Sequence, residues 1–211
     1  MEKKISQSVL KRLPGYLSYL KSISDSSNPH ISATALANAL GMGEVQVRKD
    51  LAMVSDGGRP KIGYLREQLI EDIEQFLGYD NTTDAVLVGA GKLGQALMDY
   101  KGFDEFGLNI LAGFDINPEK VSTEDGRPIY SMDKLESFCH SNKILMAIIT
   151  VPKEHAQKVC DQLIQCGIKA IWSFASAHLE VPDQILVHNE NMATSLAVLS
   201  MHLRNQIKEK K

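Results

Sequence analysis

The chain has 211 residues, 44% of them hydrophobic, which is enough for one or two domains with a substantial core. No apolar run approaches the roughly 18 residues that span a bilayer, and the first residues lack the apolar core of a signal peptide, so we expect a cytoplasmic protein with no membrane partner. The three cysteines form no C-x-x-C pair, which indicates neither a disulfide framework nor a metal site.

Charge is distributed unevenly along the chain. Residues 1–66 carry ten Lys and Arg against five Asp and Glu, whereas residues 67–211 carry thirteen against twenty-one. The net charge of −3 therefore hides a basic first part and an acidic second part. A basic module is typical of proteins that bind a polyanion, so we expect double-stranded DNA as the partner of the first part and a small ligand in the second.

The basic part is predicted to contain a helix-turn-helix. Apolar residues recur at helical spacing from Ile5 to Ser22, and Ser32 is positioned to cap a second helix over 33–40. Gly41-Met42-Gly43 separates that helix from a third, over 44–54. Two short helices joined by a glycine turn are typical of the helix-turn-helix, whose second helix enters the major groove of DNA.

Polar side chains of the third helix and of the stretch after it are the candidates for DNA contacts. We expect Gln46 and Lys49 to contact bases, because both lie near the start of that helix on its polar face. Ser55 to Tyr64 is rich in turn residues and predicts a β-hairpin wing with cations at its tip. The full set of candidates is Ser32, Gln46, Arg48, Lys49, Arg59 and Lys61. The alternative for this segment is a helical dimerisation module with a solvated charged face.

A glycine-rich turn follows in the acidic part. Asp84 to Gly94, D-A-V-L-V-G-A-G-K-L-G, is an apolar run that ends in G-x-G-x-x-G, a spacing that lets the backbone approach a pyrophosphate. A helix over 95–100 and a second apolar strand are predicted next, and this strand ends in Asp115, 21 residues beyond Gly94. A carboxylate there suits the ribose hydroxyls of adenosine, and no arginine follows it to bind a 2′-phosphate. The pattern therefore predicts NAD(H) rather than NADP(H).

Strands and helices alternate in the rest of the acidic part. Strands are predicted at 128–130, 144–151, 168–174 and 184–187, with helices at 132–140 and 153–166. This order predicts an α/β fold with a doubly wound Rossmann sheet over residues 81–190, whose ligand crevice lies beyond the carboxyl ends of the strands. The cofactor candidates at those ends are Gly89, Ala90, Gly91, Lys92, Leu93, Gly94, Asp115, Thr150, Val151, Pro152, Ser173, Phe174 and Ala175.

Residues 191–211 predict a final amphipathic helix. Leu196, Leu199, Leu203 and Ile207 form an apolar stripe along it, and the sheet is complete before it begins. The stripe is expected to pack either on a partner subunit or back on its own domain.

Several segments resemble the Rex family, the NAD(H)-binding redox-sensing repressors of bacteria. The resemblance is carried by Q-V-R-K-D-L at 46–51, I-G-Y at 62–64, V-G-A-G-K-L-G at 88–94, Y-K-G-F at 100–103, F-D at 114–115, V-P at 151–152 and F-A at 174–175. It implies a winged-helix DNA-binding domain over 1–80, a Rossmann domain, and a C-terminal helix exchanged within a homodimer that binds a palindromic operator. It also implies that Tyr100 links the state of the nicotinamide to dimer geometry.

This chain differs from the family pattern at positions to which the resemblance assigns a role in the response to NADH. The family usually has an arginine at Ser18 and an aspartate at Asn191, which act together with the tyrosine matching Tyr100. Val54-Ser55-Asp56-Gly57 also stands where the wing of the family usually has a run of glycine and phenylalanine. The resemblance therefore implies a weakened or altered response to NADH and leaves the operator preference open.

Two further functions compete with a repressor. One is a small NAD- or CoA-dependent enzyme, since short Rossmann domains also resemble the CoA-binding domains of acyl-CoA ligases. His155 and His178 are the candidate general acids, but neither has a carboxylate at a spacing that would orient it, so no catalytic residue is predicted. The other is a dimer that does not sense redox state, binds nucleotide for stability and binds DNA weakly or not at all.

Overall fold

The computed structural model describes residues 6–24, 29–79, 83–120, 123 and 126–209. The chain divides into two compact units, Met1–Asn81 and Thr82–Lys211. The domain limits predicted at 80 and 81 lie outside the described residues. Across those ranges, every helix is too short or too polar to cross a membrane.

The first unit is built from four helices and a two-stranded sheet. In chain order these are α1 (Gln7–Ser22), β1 (His30–Ile31), α2 (Ala33–Leu40), α3 (Glu44–Val54), β2 (Tyr64–Leu65) and α4 (Arg66–Leu77). The predicted helices are confirmed, and Pro14 lies inside α1 without ending it. Ser32 caps α2, because its Oγ accepts a hydrogen bond from the Ala35 backbone N–H at 3.0 Å. Leu13, Leu36 and Leu51 are fully buried and bring α1, α2 and α3 together.

The wing is shorter than the hairpin predicted over 55–64. Its only paired residues among those described are Arg59 and Gly63, which exchange two backbone hydrogen bonds of 2.9 Å. The strand after it, β2, instead pairs antiparallel with β1, a two-residue strand that the sequence analysis did not predict. Gly63 has φ 93°, and a Cβ there would lie 2.3 Å from the Ile31 carbonyl oxygen, so the wing can close against β1 only through a glycine.

The second unit is a six-stranded parallel sheet with helices. Its elements are β3 (Thr83–Val88), α5 (Lys92–Met98), a 3₁₀ helix (Lys101–Phe106), β4 (Leu108–Asp115), a 3₁₀ turn (Pro118–Lys120), β5 (Ile129–Ser131), a 3₁₀ turn (Met132–Lys134), α6 (Leu135–Asn142), β6 (Met146–Ile149), α7 (Lys153–Gln165), β7 (Ala170–Ser173), β8 (Leu186–Asn189) and α8 (Met192–Glu209). The strand order is β5-β4-β3-β6-β7-β8. This is the doubly wound Rossmann order, so the predicted α/β fold is confirmed.

Several predicted boundaries in this unit shift by a few residues. The helix predicted at 95–100 is α5, which begins at Lys92 because Gly91 already serves as its N-terminal cap residue. The last predicted strand moves to β8, since a turn from Pro182 to Ile185 occupies the residues before it. The central strand β3 is buried on both faces and pairs with β4 and β6. The glycine turn that follows β3 therefore lies at the carboxyl ends of the strands, in the centre of the sheet.

The apolar stripe of α8 is exposed. Leu196, Leu199, Leu203 and Ile207 keep between 54% and 65% of their accessible surface. We predicted that the stripe packs either on a partner subunit or back on its own domain. The second of these predictions is wrong for this structure. The predicted end of the helix at Lys211 lies outside the described residues.

The buried cysteines give a prediction about chemical reactivity. Cys139, Cys160 and Cys166 are free and buried, and burial raises the pKa of Cys139 to about 12 and that of Cys160 to about 11, and also raises the pKa of Cys166. At pH 8 these thiols should stay protonated in the native protein and react slowly, whereas unfolding returns them to a pKa of about 8.5. A colorimetric thiol titration should detect three thiols only after guanidinium is added. Fast modification of one thiol in the native protein would contradict this.

Candidate nucleotide-binding cleft and DNA-contact surface

A cleft of about 750 Å³ opens at the carboxyl ends of β3, β4 and β6, with α7 along one wall. This is the position at which open parallel sheets bind nucleotides. Six predicted cofactor residues line it, namely Gly89, Gly91, Asp115, Thr150, Val151 and Pro152. Residues that the sequence analysis did not assign to it also line it, namely Val88, Phe114, Ile116, Asn117, Met132, His155, Lys158, Val159 and Gln162.

The floor of the cleft is the backbone at Gly89. This residue has φ 99°, and a Cβ on it would lie 2.8 Å from Val151 Cγ1, so both conformation and space require glycine. Its N–H donates to the Phe114 carbonyl oxygen at 2.8 Å, and its own carbonyl oxygen accepts from Thr150 Oγ1 at 2.6 Å. The turn is thereby fixed to β4 on one side and to the end of β6 on the other.

Gly91 and Gly94 serve different purposes in the turn. A Cβ on Gly94 would lie 2.2 Å from the Gly89 carbonyl oxygen, so α5 can pack against the turn only without a side chain there. A Cβ on Gly91 would have no heavy atom within 4 Å, although Gly91 lines the cleft. The space next to Gly91 is therefore open to a ligand, as expected of the glycine that lets a pyrophosphate approach the backbone.

Asp115 ends β4 at the edge of the cleft. Its Oδ1 accepts a hydrogen bond from the Asn117 backbone N–H at 2.9 Å, which fixes the orientation of the carboxylate. Arginine is absent from the described residues that line the cleft, and Lys158 on α7 is the cation among them. Asp115 therefore offers a hydrogen-bond acceptor and a negative charge at this edge of the cleft, which suits ribose hydroxyls better than a 2′-phosphate.

One wall of the cleft could have been found from the sequence. His155, Lys158, Val159 and Gln162 are spaced by three or four residues, so they share one face of α7. From the sequence, His155 was predicted only as a candidate general acid, and its period along α7 was not used.

Eight predicted cofactor residues lie outside the lining of this cleft: Ala90, Lys92, Leu93, Gly94, Tyr100, Ser173, Phe174 and Ala175. Ser173 is fully buried, and its hydroxyl has no hydrogen-bond partner among the described residues. Phe174 packs on Trp172 with ring centroids 4.8 Å apart, and Tyr100 packs edge-on against Phe103 at 4.9 Å. A direct cofactor contact from these residues therefore stays a prediction.

The predicted DNA candidates of the first unit lie on its surface. Gln46, Arg48 and Lys49 are exposed on α3, whereas Val47 and Leu51 on its other face are buried. Arg48 forms an ion pair with Glu44 one helical turn earlier. Arg59 and Lys61 are exposed on the wing, and Ser32 is exposed although its hydroxyl caps α2.

A buried charged group on α3 was missed by the sequence analysis. Asp50 keeps 3% of its accessible surface and accepts two hydrogen bonds from Arg12, 2.7 Å from Nε and 2.9 Å from Nη2, and a third from Tyr16 Oη at 2.8 Å. The bond to Asp50 raises the pKa of Arg12, and burial raises the pKa of Tyr16 to about 12. The available signal was an aspartate next to Val47 and Leu51 on the apolar face of a helix.

Two family models match parts of the chain, and relatives match nearly all of it. The model described as "CoA binding domain" matches residues 80–177, and that described as "Putative DNA-binding protein N-terminus" matches residues 4–52. The redox-sensing transcriptional repressor Rex of Treponema denticola is 38% identical over 198 residues, 93% of this chain and 94% of that protein. The protein of the same name from Clostridioides difficile is 39% identical over 199 residues, 94% of this chain and 95% of its own.

Solved structures agree with these matches. A crystal structure of RSP, a Rex-family repressor, has a TM-score of 0.85 and 34% identity over 99% of this chain and 98% of its own. The complex of RSP with beta-NAD+ and operator DNA has a TM-score of 0.88 and 33% identity, covering 99% and 97%. A winged helix-turn-helix unit followed by a Rossmann unit with an open cleft defines a DNA-binding regulator with a nucleotide site. The chain belongs to the Rex family of redox-sensing transcriptional repressors.

The two glycines of the turn make a matched pair of variants. Gly91→Ala should leave the thermal unfolding midpoint nearly unchanged, because the added methyl group meets no protein atom, but should weaken dinucleotide binding at least about tenfold. Gly94→Ala should lower the free energy of unfolding by about 1 to 3 kcal/mol, because its methyl group would overlap the Gly89 carbonyl oxygen. Calorimetric titration and thermal melts measure both effects. Equal loss of stability in the two variants would show that the space beside Gly91 is not free.

Proposed function

We propose that this protein is a transcriptional repressor whose affinity for operator DNA depends on the NADH/NAD ratio. NAD(H) binds in the cleft of the second unit, and α3 and the wing of the first unit bind a palindromic operator as part of a homodimer. The observation that carries the proposal is the open position beside Gly91 with Asp115 on the same cleft, in a chain that matches Rex repressors over more than nine-tenths of its length.

The chemistry of the cleft supports NAD(H) as the ligand. Open space beside Gly91 suits a pyrophosphate, and the carboxylate of Asp115 suits a pair of ribose hydroxyls. RSP has been crystallised with beta-NAD+ and with beta-NADH, which supports the same ligand here. Coenzyme A carries a phosphate on its adenosine ribose, which Asp115 would repel, so CoA is the weaker candidate despite the name of the matching family model.

A regulatory role fits the cleft better than catalysis does. The relatives are named transcriptional repressors. His155 lines the cleft, but within the described residues no carboxylate is bonded to it that would orient it as a general acid. We therefore propose that the protein binds the nicotinamide without turning it over.

The exposed stripe of α8 supports an exchanged dimer. Four large apolar side chains on one helix face are costly to leave in water, and an isologous pair of such helices would cover both stripes. Asn191 precedes this helix, and its Oδ1 accepts a hydrogen bond from the Thr194 backbone N–H at 3.2 Å. The residue thus caps α8 and stands where the family usually has an aspartate.

Removal of the Asp115 carboxylate should change the choice of dinucleotide. We expect Asp115→Ala to bind NAD more weakly than the native protein, because the ribose hydroxyls lose their acceptor, and to lose much of the discrimination against NADP. Calorimetric titrations with NAD, NADP and coenzyme A on both proteins measure this. Native protein that binds NAD and NADP equally, or CoA more tightly than NAD, would contradict the assigned ligand.

Lys49 and Lys61 should contribute differently to DNA binding. Lys49→Ala on α3 should relax the preference at one base step, whereas Lys61→Ala on the wing should weaken all sequences alike and lower the salt slope by about 1. If a dimer neutralises about 6 to 10 phosphates, native affinity should fall by about 10³ to 10⁵ between 50 and 200 mM salt. Fluorescence anisotropy on operator and random duplexes measures these effects. If both variants lose the same affinity for the operator as for the random duplex, the prediction that α3 contacts bases is wrong.

The effect of NADH on the operator affinity of this protein should be weaker than in a protein that has the family's usual arginine at position 18 and aspartate at position 191. Ser18 is exposed and neutral, and Asn191 is a neutral cap, so charge-assisted bonds typically worth about 1.5 to 3 kcal/mol each are absent. We expect operator affinity with saturating NAD and with saturating NADH to differ by less than about a hundredfold, roughly 2.7 kcal/mol. Ser18→Arg combined with Asn191→Asp should widen the difference, and Asn191→Asp alone is the control because it preserves the cap. A larger native ratio would show that other residues build the switch.

A further inference from the structure

Arg12 touches two residues of α3 that lie one helical turn apart. Its Nε and Nη2 hold the buried carboxylate of Asp50 at 2.7 and 2.9 Å. On the solvent side, the guanidinium also meets the exposed amide of Gln46. With the amide oxygen facing it, Gln46 Oε1 accepts from Arg12 Nη1 at 3.0 Å and lies 3.2 Å from Nε.

The orientation of this amide follows from the chemistry of the guanidinium. An arginine side chain has five N–H donors and no acceptor, so an amide in contact with it must present its oxygen. Arg12 itself is held in place, because two parallel hydrogen bonds to a carboxylate fix the plane of its guanidinium, and its side chain keeps 20% of its accessible surface. The amide NH₂ group of Gln46 is then the end directed away from Arg12.

A glutamine held in this way offers a base a different set of groups from a free one. A free glutamine pairs with adenine through one donor and one acceptor, N6–H to its oxygen and its NH₂ to N7. When the oxygen is already engaged, the NH₂ group remains as a donor. It then best matches the base edges whose major-groove acceptors have no amino group beside them on the same base, which are O6 and N7 of guanine and O4 of thymine. Adenine also presents an acceptor, N7, but its neighbouring N6 amino group would be left without the glutamine oxygen as its partner.

We propose that Arg12 is a positioning residue that fixes the Gln46 amide with its NH₂ group toward DNA, so that α3 selects guanine or thymine rather than adenine at the base step that Gln46 contacts. The proposal rests on the proposed function, since it requires that α3 lies in the major groove of an operator. Arg12 itself contacts no base in this arrangement. It acts through the amide of Gln46 and is held by Asp50.

The test begins with operators selected from a random duplex library by the full-length native protein and by Gln46→Ala. The base step at which the preference disappears in Gln46→Ala is the one that Gln46 contacts. At that step, native protein should bind guanine or thymine at least about fivefold more tightly than adenine. Native selection of adenine at that step would overturn the proposal.

Two variants separate positioning from mere support of the fold. Gln46→Glu keeps an oxygen for Arg12 but turns an acceptor outward, so the preference should move to cytosine or adenine, which present amino groups. Arg12→Met with Tyr16→Phe and Asp50→Leu replaces the buried polar group by apolar side chains of similar size and leaves no uncompensated charge. In this triple variant the amide is free to rotate, so adenine should be bound within about twofold of guanine.

The outcomes distinguish this inference from the proposed function. If the native protein selects no sequence, the proposed function fails and the inference fails with it. If it selects an operator but Gln46→Ala changes no base preference, the inference alone is wrong. Thermal melts and random-duplex affinity report whether the triple variant is folded. Should it not fold, Gln46→Glu, a surface substitution, decides alone, because an unchanged preference for guanine or thymine refutes the fixed amide.

Discussion

The second unit depends on the contact between Gly94 and the carbonyl oxygen of Gly89. A Cβ on residue 94 would lie 2.2 Å from that oxygen, and the same oxygen accepts the hydroxyl of Thr150 at 2.6 Å. Helix α5, the end of β3 and the end of β6 therefore meet at one backbone atom. Since the floor of the cleft is backbone held from both sides, a dinucleotide would find its pyrophosphate site already formed, and little side-chain entropy would be lost on binding.

The first unit is held in another way, by a buried ion pair. Burying Asp50 and most of Arg12 has a desolvation cost that the bonds between them often only balance, so the pair is weak evidence for added stability. What it supplies is geometry. Apolar contacts such as those of the buried Leu13 and Leu51 are not directional, whereas the two parallel hydrogen bonds from Arg12 and the third from the Tyr16 hydroxyl link Asp50 of α3 to α1 with defined geometry. An exposed face that must match base edges benefits from that defined geometry.

Most of the fold could be predicted because it follows from periods and glycine spacing. Three glycines and one aspartate located the cleft, since their roles depend on backbone conformation that the sequence specifies locally. Features that depend on partners distant in sequence were missed. The strand β1 has two residues, too short to show alternation, and exists because Gly63 lets the wing approach it. Asp50 is paired with a residue 38 positions earlier, which no local pattern records. Ser173 is the last residue of a correctly predicted strand, but its full burial depends on how other parts of the unit pack around it.

The direction of the strands places the start of α8 at the same edge of the sheet as the cleft. All six strands are parallel, so β8 ends at the same edge of the sheet as β3, β4 and β6, where the cleft opens. Helix α8 begins three residues after β8 ends, and Asn191 caps it there. Helix α8, with its exposed apolar stripe, thus starts at the edge of the sheet where the cleft opens. Coupling between the two sites must be reciprocal, so a ligand that favours one dimer arrangement gains affinity by the same factor when DNA selects that arrangement. In the proposed homodimer, the neutral cap Asn191 at that edge supplies no charge-assisted bond, which limits how large this shared factor can be.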